Sequence, residues 1–382
     1  MRIRGSLEFI EDVSKIIEGT LSISKMEDSC FRYCGVDVSM DEHKIVISME
    51  DYVKSLPEVP VMKRGSKVRQ LNQQELTLLR MITGKLSWLA MNCRPDLQFK
   101  VHQLSTSMKE ATTKELYYAK KYVDAAKSGI SRLEFHKCMN RVGEVTLYGI
   151  GDASFQAKPN NSIGGELILI GVGETNRVMP LYWKTKIIRR VCQSAKDAET
   201  LNISHLADKL CFKAVQVKKL FGENISVKTK LITDSLPTLE SVASTKEVDR
   251  HMMRPDIEEL KDYLKKGELD KLCWIQGEEM LADILTKEKK NQEGLSKLML
   301  NNRLDLVMKE FNVVQYREGE LEISGRQLRE KMVPKDKIPV KKKSLKPLEV
   351  SDDMYFESHS NNEDSTQTES RGNNDLLSSE KS

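Results

Sequence analysis

The segment from residue 143 to about residue 290 constrains the fold most, because strand-like and helix-like runs follow one another there in a definite order. "EVTLYGIGDASF", "SIGGELILIGVG" and "RVMPLYWKTK" are apolar runs separated by turn residues, which is typical of an antiparallel meander. A long helical segment, 195–221, follows, and strands then alternate with helices up to "LADILTK". The order βββαβααβα predicts a mixed α/β sheet with helices on its faces.

Residues 1–140 have a different pattern and form a separate predicted domain. "CFRYCGVDVSM" and "KIVISME" alternate like the two strands of a hairpin, with residues 41–43 as its turn. Thr112 and Glu115 have the spacing of a helix-capping box. Apolar periodicity predicts helices over 6–21, 72–92 and 112–129.

The pattern weakens after residue 300. Residues 303–332 can hold one or two helices, within a basic, partly helical linker that covers 301–350. Residues 351–382 are rich in Ser, Asn and acids and have little to bury, so we expect a disordered tail. The second folded domain is therefore expected over residues 141–300.

The composition bears on the protein's cellular location more than on its binding partners. No apolar run of eighteen residues is present, and acidic residues interrupt the N-terminus where a signal peptide needs an apolar core. We therefore expect an intracellular, cytoplasmic protein without a membrane span. The cluster Lys341–Lys343 is a candidate nuclear-localisation or nucleic-acid-binding arm, and a solubilising linker is the alternative. A formal net charge of +4 leaves nucleic-acid binding to local basic patches.

Carboxylates stand at the ends of apolar elements throughout the second domain. They are Asp152 after the first strand, Glu199 early in the long helix, Asp234 after "LIT" and Asp283 in "LADILTK". Strand ends and helix starts gather at one rim of an α/β sheet, so these acids can converge there. Converging carboxylates cannot all stay ionised unaided, and Mg²⁺ prefers such oxygens. The plain alternative is that a strand-end Asp forms a turn or caps the next helix.

The order of the motifs adds a resemblance. "GDASF", "YWKTKIIRRVCQSAKDAET", "LITDSLPTLES" and "WIQGEEMLADILTK" together resemble the ribonuclease H domain of copia-type (Pseudoviridae-like) retrotransposon polyproteins. "RMITGKLSWLAMNCRPDLQFKVHQLS" resembles the end of that family's reverse transcriptase. The resemblance spans about residues 8–290. It implies a five-stranded ribonuclease H-like sheet, three antiparallel strands and then parallel ones, preceded by a reverse-transcriptase remnant over residues 1–140.

The resemblance also implies a site and a reaction. It assigns metal binding and catalysis to Asp152, Glu199, Asp234 and Asp283. The cofactor would be two Mg²⁺ ions, with Mn²⁺ as a substitute, and the reaction would be hydrolysis of the RNA strand of an RNA–DNA hybrid. His251 falls where many members carry a histidine and is the auxiliary candidate, with a packing or surface role as the alternative.

Basic residues beside the predicted site are candidates for binding the hybrid. They are Lys184, Lys186, Arg189 and Arg190, on or after the third strand. Phosphate contacts of this kind position a nucleic acid without reading its sequence. The alternative is an edge strand protected by solvated lysines.

Two departures from the family pattern bear on function. The polymerase "YVDD"-type motif is absent, so we expect no DNA synthesis, and the missing reverse-transcriptase parts are candidate partners. Thr200 stands where an aromatic residue is usual, which puts the helix register around Glu199 in question. The second hypothesis is therefore a catalytically silent or host-recruited protein that binds nucleic acid or a protein partner.

Overall fold

The structure is a computed structural model. It describes residues 7–20, 29–60, 67–136, 143–158, 161–172, 177–222, 225–244, 251–288, 312–317 and 319–324, with Leu295, Leu298, Asn302 and Leu304. All of the described residues lie within one compact unit, residues 1–331. The predicted polar tail and the Lys341–Lys343 cluster lie outside the described residues. Among the described helices, none combines the length and the apolarity that crossing a lipid bilayer requires.

Helices and strands alternate along the described parts of the chain. The α-helices are α1 (Leu7–Thr20), α2 (Glu50–Lys54), α3 (Gln73–Asn92), α4 (Gln98–Thr106), α5 (Thr113–Ser128), α6 (Ala195–Phe221), α7 (Leu236–Ala243) and α8 (Arg254–Lys265). The strands are β1 (Cys30–Tyr33), β2 (Val36–Met40), β3 (Lys44–Ser48), β4 (Arg132–His136), β5 (Glu144–Lys158), β6 (Asn161–Val172), β7 (Val178–Ile188), β8 (Ser226–Thr233), β9 (Lys271–Trp274), β10 (Asn312–Arg317) and β11 (Glu320–Ser324).

The first sheet is antiparallel and has the order β1-β2-β3-β4. The predicted pairing of the two segments around residues 41–43 is confirmed as the β2–β3 hairpin. The run "CFRYCGVDVSM" was expected to be one strand, and that expectation is wrong. Cys34 and Gly35 have φ of 51° and 80°, so the run folds back on itself as β1 and β2. Positive φ at both central residues is what a tight hairpin turn requires.

Helices α3 and α5 begin at capping boxes. The box predicted at Thr112 and Glu115 is confirmed, and a second one joins Asn72 and Glu75. Each box satisfies backbone N–H groups that the first helical turn leaves without partners. These helices pack with α4 around fully buried apolar side chains such as Leu86.

The second sheet is mixed, as predicted, but it is larger than expected. Its order is β11-β10-β9-β8-β5-β6-β7, with β5, β6 and β7 antiparallel and β5, β8 and β9 parallel. Five of these strands, β5 to β9, lie between residues 144 and 274. The other two strands form a hairpin within 303–332, where helices were expected. Alternation in "NVVQYREGELEIS" and the positive φ of Gly319, 93°, account for the hairpin.

The closing segment "LADILTK" is not the regular helix that its apolar spacing predicts. It contains a short 3-10 helix, Leu281–Leu285, which packs against β5 and β6. The Thr185 hydroxyl donates to the Leu285 carbonyl at 2.7 Å. A Cβ on Gly165 would lie 2.8 Å from the Leu285 Cβ, so only glycine lets the segment lie this close to the sheet. Because Gly165 pairs with Asp152, this contact brings the end of "LADILTK" close to Asp152 on β5.

Candidate metal centre

Three elements bring three carboxylates together. β5 and β8 are parallel neighbours with Ile150 opposite Ile232, and the same register places Asp152 beside Asp234. Asp234 follows β8 as predicted, but Asp152 does not end its strand, because β5 continues to Lys158 and Asp152 pairs with Gly165 of β6. Glu199 reaches the same place from the first turns of α6. One oxygen from each of the three side chains lies within 4.8 Å of the other two. Among the described residues, these three therefore form a cluster that can hold a cation.

Helix α6 is fixed so that Glu199 points at the strands. Ser194 caps the helix by accepting from the Asp197 N–H at 3.2 Å. The Asn202 amide donates to the Asp152 carbonyl at 2.9 Å and to the Gly165 carbonyl at 3.0 Å. One helical residue thus binds two neighbouring strands, and this sets the distance between Glu199 and Asp152.

The register around Glu199 is intact despite the unusual residue after it. Thr200 is fully buried, and its hydroxyl lies 3.1 Å from the Thr238 hydroxyl of α7. Threonine therefore serves there as a packing and hydrogen-bonding residue between two helices. Glu199 still faces the cluster, with its Oε1 accepting from the Ala153 N–H at 3.0 Å.

Burial and repulsion disfavour the ionised form of Glu199. Its side chain is buried, and the Oε2 atom has no hydrogen-bond partner. Burial, followed by the charges of Asp152 and Asp234, raises the pKa of Glu199 to about 9. A buried, partnerless carboxylate oxygen beside two further acids fits a hard divalent cation, which would supply the missing positive charge.

The stability of the metal-free protein should therefore depend on pH through Glu199. Between the unfolded pKa of 4.5 and the folded pKa of about 9, the folded chain holds a proton that the unfolded chain has lost. The free energy of unfolding should thus fall as pH rises through this window. Urea unfolding in EDTA should show a smaller fall for Glu199→Gln than for the wild type, because glutamine does not titrate. Parallel pH curves for the two proteins would contradict the assignment.

Asp283 lies outside the group of three. It is buried on the 3-10 helix and accepts from the Lys287 ammonium at 2.9 Å. Lys287 also donates to Asp152 Oδ1 at 3.3 Å, and the Thr286 hydroxyl donates to Asp152 Oδ2. The sequence interpretation missed Thr286 and Lys287, although both stand in "LADILTK" within four residues of Asp283.

The four predicted hybrid-binding residues divide into two pairs. Lys186 makes an ion pair with the fully buried Glu166, and Arg190 binds both oxygens of Asp256, at 2.9 and 2.7 Å. These two cations hold the protein's own acids. Lys184 and Arg189 are exposed.

His251 is exposed and begins the 3-10 helix His251–Met253. The residues just before it, 245–250, are not described. Arg190 donates to the Met252 carbonyl, which ties this segment to the end of β7. His251 is not part of the carboxylate group.

Comparison with known proteins gives structural likenesses only. The sequence matches no protein-family model and no curated protein. A ribonuclease H1 isolated from compost by metagenomics is 14% identical over 38% of this chain and 93% of that chain, with a TM-score of 0.28. Ribonuclease H1 from Halobacterium salinarum is 14% identical over 41% and 99%, with a TM-score of 0.26. A structure of the compost enzyme with an RNA/DNA hybrid is 12% identical over 37% and 92%, with a TM-score of 0.27.

Proposed function

We propose that this protein is a divalent-metal-dependent ribonuclease H, which cleaves the RNA strand of an RNA–DNA hybrid. The convergence of Asp152, Glu199 and Asp234 carries the proposal. The directions of the five strands β7-β6-β5-β8-β9 support it, because three antiparallel and then parallel strands are what the resemblance implies. We further propose that the chain is part of a copia-type polyprotein and, lacking the polymerase motif, makes no DNA.

The protein's own residues would bind and orient the reacting groups. Asp152, Glu199 and Asp234 would hold two Mg²⁺ ions, with Mn²⁺ as a substitute. Such ions supply an activated water and stabilise the leaving oxygen of the phosphodiester. The Ala153 N–H donates to Oε1 of Glu199, and the Oε2 atom, which has no hydrogen-bond partner, would remain available to a cation.

The hybrid would be recognised mainly through its backbone and shape. Lys184 and Arg189 are exposed and would contact phosphates, while Lys186 and Arg190 would shape that surface through their ion pairs. Ribose 2′-hydroxyls distinguish the RNA strand from the DNA strand. His251 stays a candidate auxiliary residue because its exposed segment is joined to β7 by Arg190.

Cleavage of a labelled hybrid by the full 382-residue chain tests the proposal. We expect cuts within the RNA strand in Mg²⁺ or Mn²⁺, none in EDTA, and none when the same RNA is single-stranded. Hybrid that stays intact with both metals would contradict the proposal. Binding of the intact hybrid without cleavage would instead support the silent, nucleic-acid-binding alternative.

A further inference from the structure

Backbone hydrogen bonds fix the main chain of Lys287 beside the acids. Its N–H donates to the Asp283 carbonyl at 2.8 Å, and the Thr286 N–H donates to the same carbonyl at 3.0 Å. The preceding Leu285 is fully buried. Lys287 therefore starts one helical turn after Asp283, from a segment that is packed firmly on the sheet.

The Lys287 ammonium bridges two buried acids. It lies 2.9 Å from Asp283 Oδ1 and 3.3 Å from Asp152 Oδ1, and these carboxylates are 6% and 1% exposed. Its positive charge also acts on Glu199, where it opposes the upward pKa shift. The lysine side chain itself is 41% exposed, so its ammonium can move into water without disturbing the packed segment.

We infer that Lys287 is the built-in counter-ion of Asp152 and Asp283, and that a divalent cation must displace it from Asp152. The inference rests on the proposed function for the cation it names. Lys287 would act as a positioning residue: it keeps Asp152 and Asp283 in place before a cation arrives, and so links the fourth acid to the other three.

The electrostatic reason is that the Lys287 ammonium and a divalent cation would compete for the same oxygen, Asp152 Oδ1. Asp152 Oδ2 already accepts from Thr286, which leaves Oδ1 shared between Lys287 and any incoming ion. An ammonium a few ångströms from a divalent cation repels it, because the buried site screens charge poorly. Removing the ammonium should therefore strengthen cation binding and, without a cation, leave two like charges unbalanced.

Two measurements on the full chain test this placement. Calorimetric titration with Mg²⁺, without nucleic acid, should show about tenfold tighter binding by Lys287→Met. In EDTA, the thermal midpoint of Lys287→Met should fall by about 2 to 4 °C, and Asp152→Asn in the same chain should recover most of that loss. Lys287→Arg, which keeps the charge, should bind Mg²⁺ like the wild type.

Lys266→Met is the matched control. Lys266 pairs with Asp262 at 2.6 Å and with the same four-residue spacing, but both side chains are exposed, at the C-terminal end of α8. It should leave Mg²⁺ binding unchanged. Unchanged or weaker Mg²⁺ binding by Lys287→Met, or an unchanged midpoint in EDTA, would overturn the inference. If the variants behave as expected but the wild-type chain cleaves no hybrid, only the proposed function is contradicted.

Discussion

Asp152→Asn and Asp234→Asn should each lower hybrid cleavage at least about a hundredfold. Asparagine has nearly the same volume as aspartate, but it removes the charge that the cluster needs to bind a cation. Changes beside a metal ligand already cost ten- to hundredfold, so loss of a ligand charge should cost no less. Initial rates of cleavage in Mg²⁺, compared with the wild type, provide the measurement.

The control for these variants is Asp124→Asn. Asp124 is an exposed residue of α5 that pairs with Lys120 at 2.8 Å, away from the cluster. Its rate should equal that of the wild type. Circular dichroism should show all three variants folded, because each change preserves side-chain volume. Wild-type activity in Asp152→Asn would remove the basis of the proposed function.

Arg94→Met should cost about 3 kcal/mol of unfolding free energy. The Arg94 guanidinium is buried and binds both oxygens of Asp96 at 2.8 Å. It also donates to the carbonyls of Ala125 and Ala126, in the last turn of α5. Methionine would leave a half-buried acid and two helix-end carbonyls without these donors.

Urea unfolding followed by circular dichroism measures the effect. Arg80→Met makes the same chemical change on the exposed face of α3 and should stay within about 0.5 kcal/mol of the wild type. Equal stability of Arg94→Met and Arg80→Met would show that Arg94 does not join α5 to the preceding segment.

The sequence predicted the carboxylate cluster better than it predicted how the "LADILTK" segment packs beside that cluster. Asp152 and Asp234 follow apolar runs of the sequence, and parallel pairing of β5 with β8 is enough to bring them together. Asp283 was grouped with them from its place in an apolar segment and from motif order, but its position depends on how the 3-10 helix packs at Gly165. Spacing along the chain carries no information about that contact. For the same reason the bridging role of Lys287 could not be predicted.

Errors in the fold have equally local causes. Alternation over residues 30–40 concealed a turn, because a left-handed Cys34 before Gly35 does not interrupt the apolar pattern. The capping box at Thr112 was found, whereas the one at Asn72 was missed although Glu75 has the same spacing. The β10–β11 hairpin follows a weakly patterned region, and its signal is the alternation on both sides of Gly319.

The position of a bound cation tests the central claim most directly. Crystals of the full chain grown with Mn²⁺, measured at the manganese absorption edge, give an anomalous map that locates the ion without reference to activity. We predict a peak within ligand distance, about 2.0 to 2.6 Å, of oxygens from Asp152, Glu199 and Asp234. Manganese found only elsewhere, or absent at saturating concentration, would contradict the account.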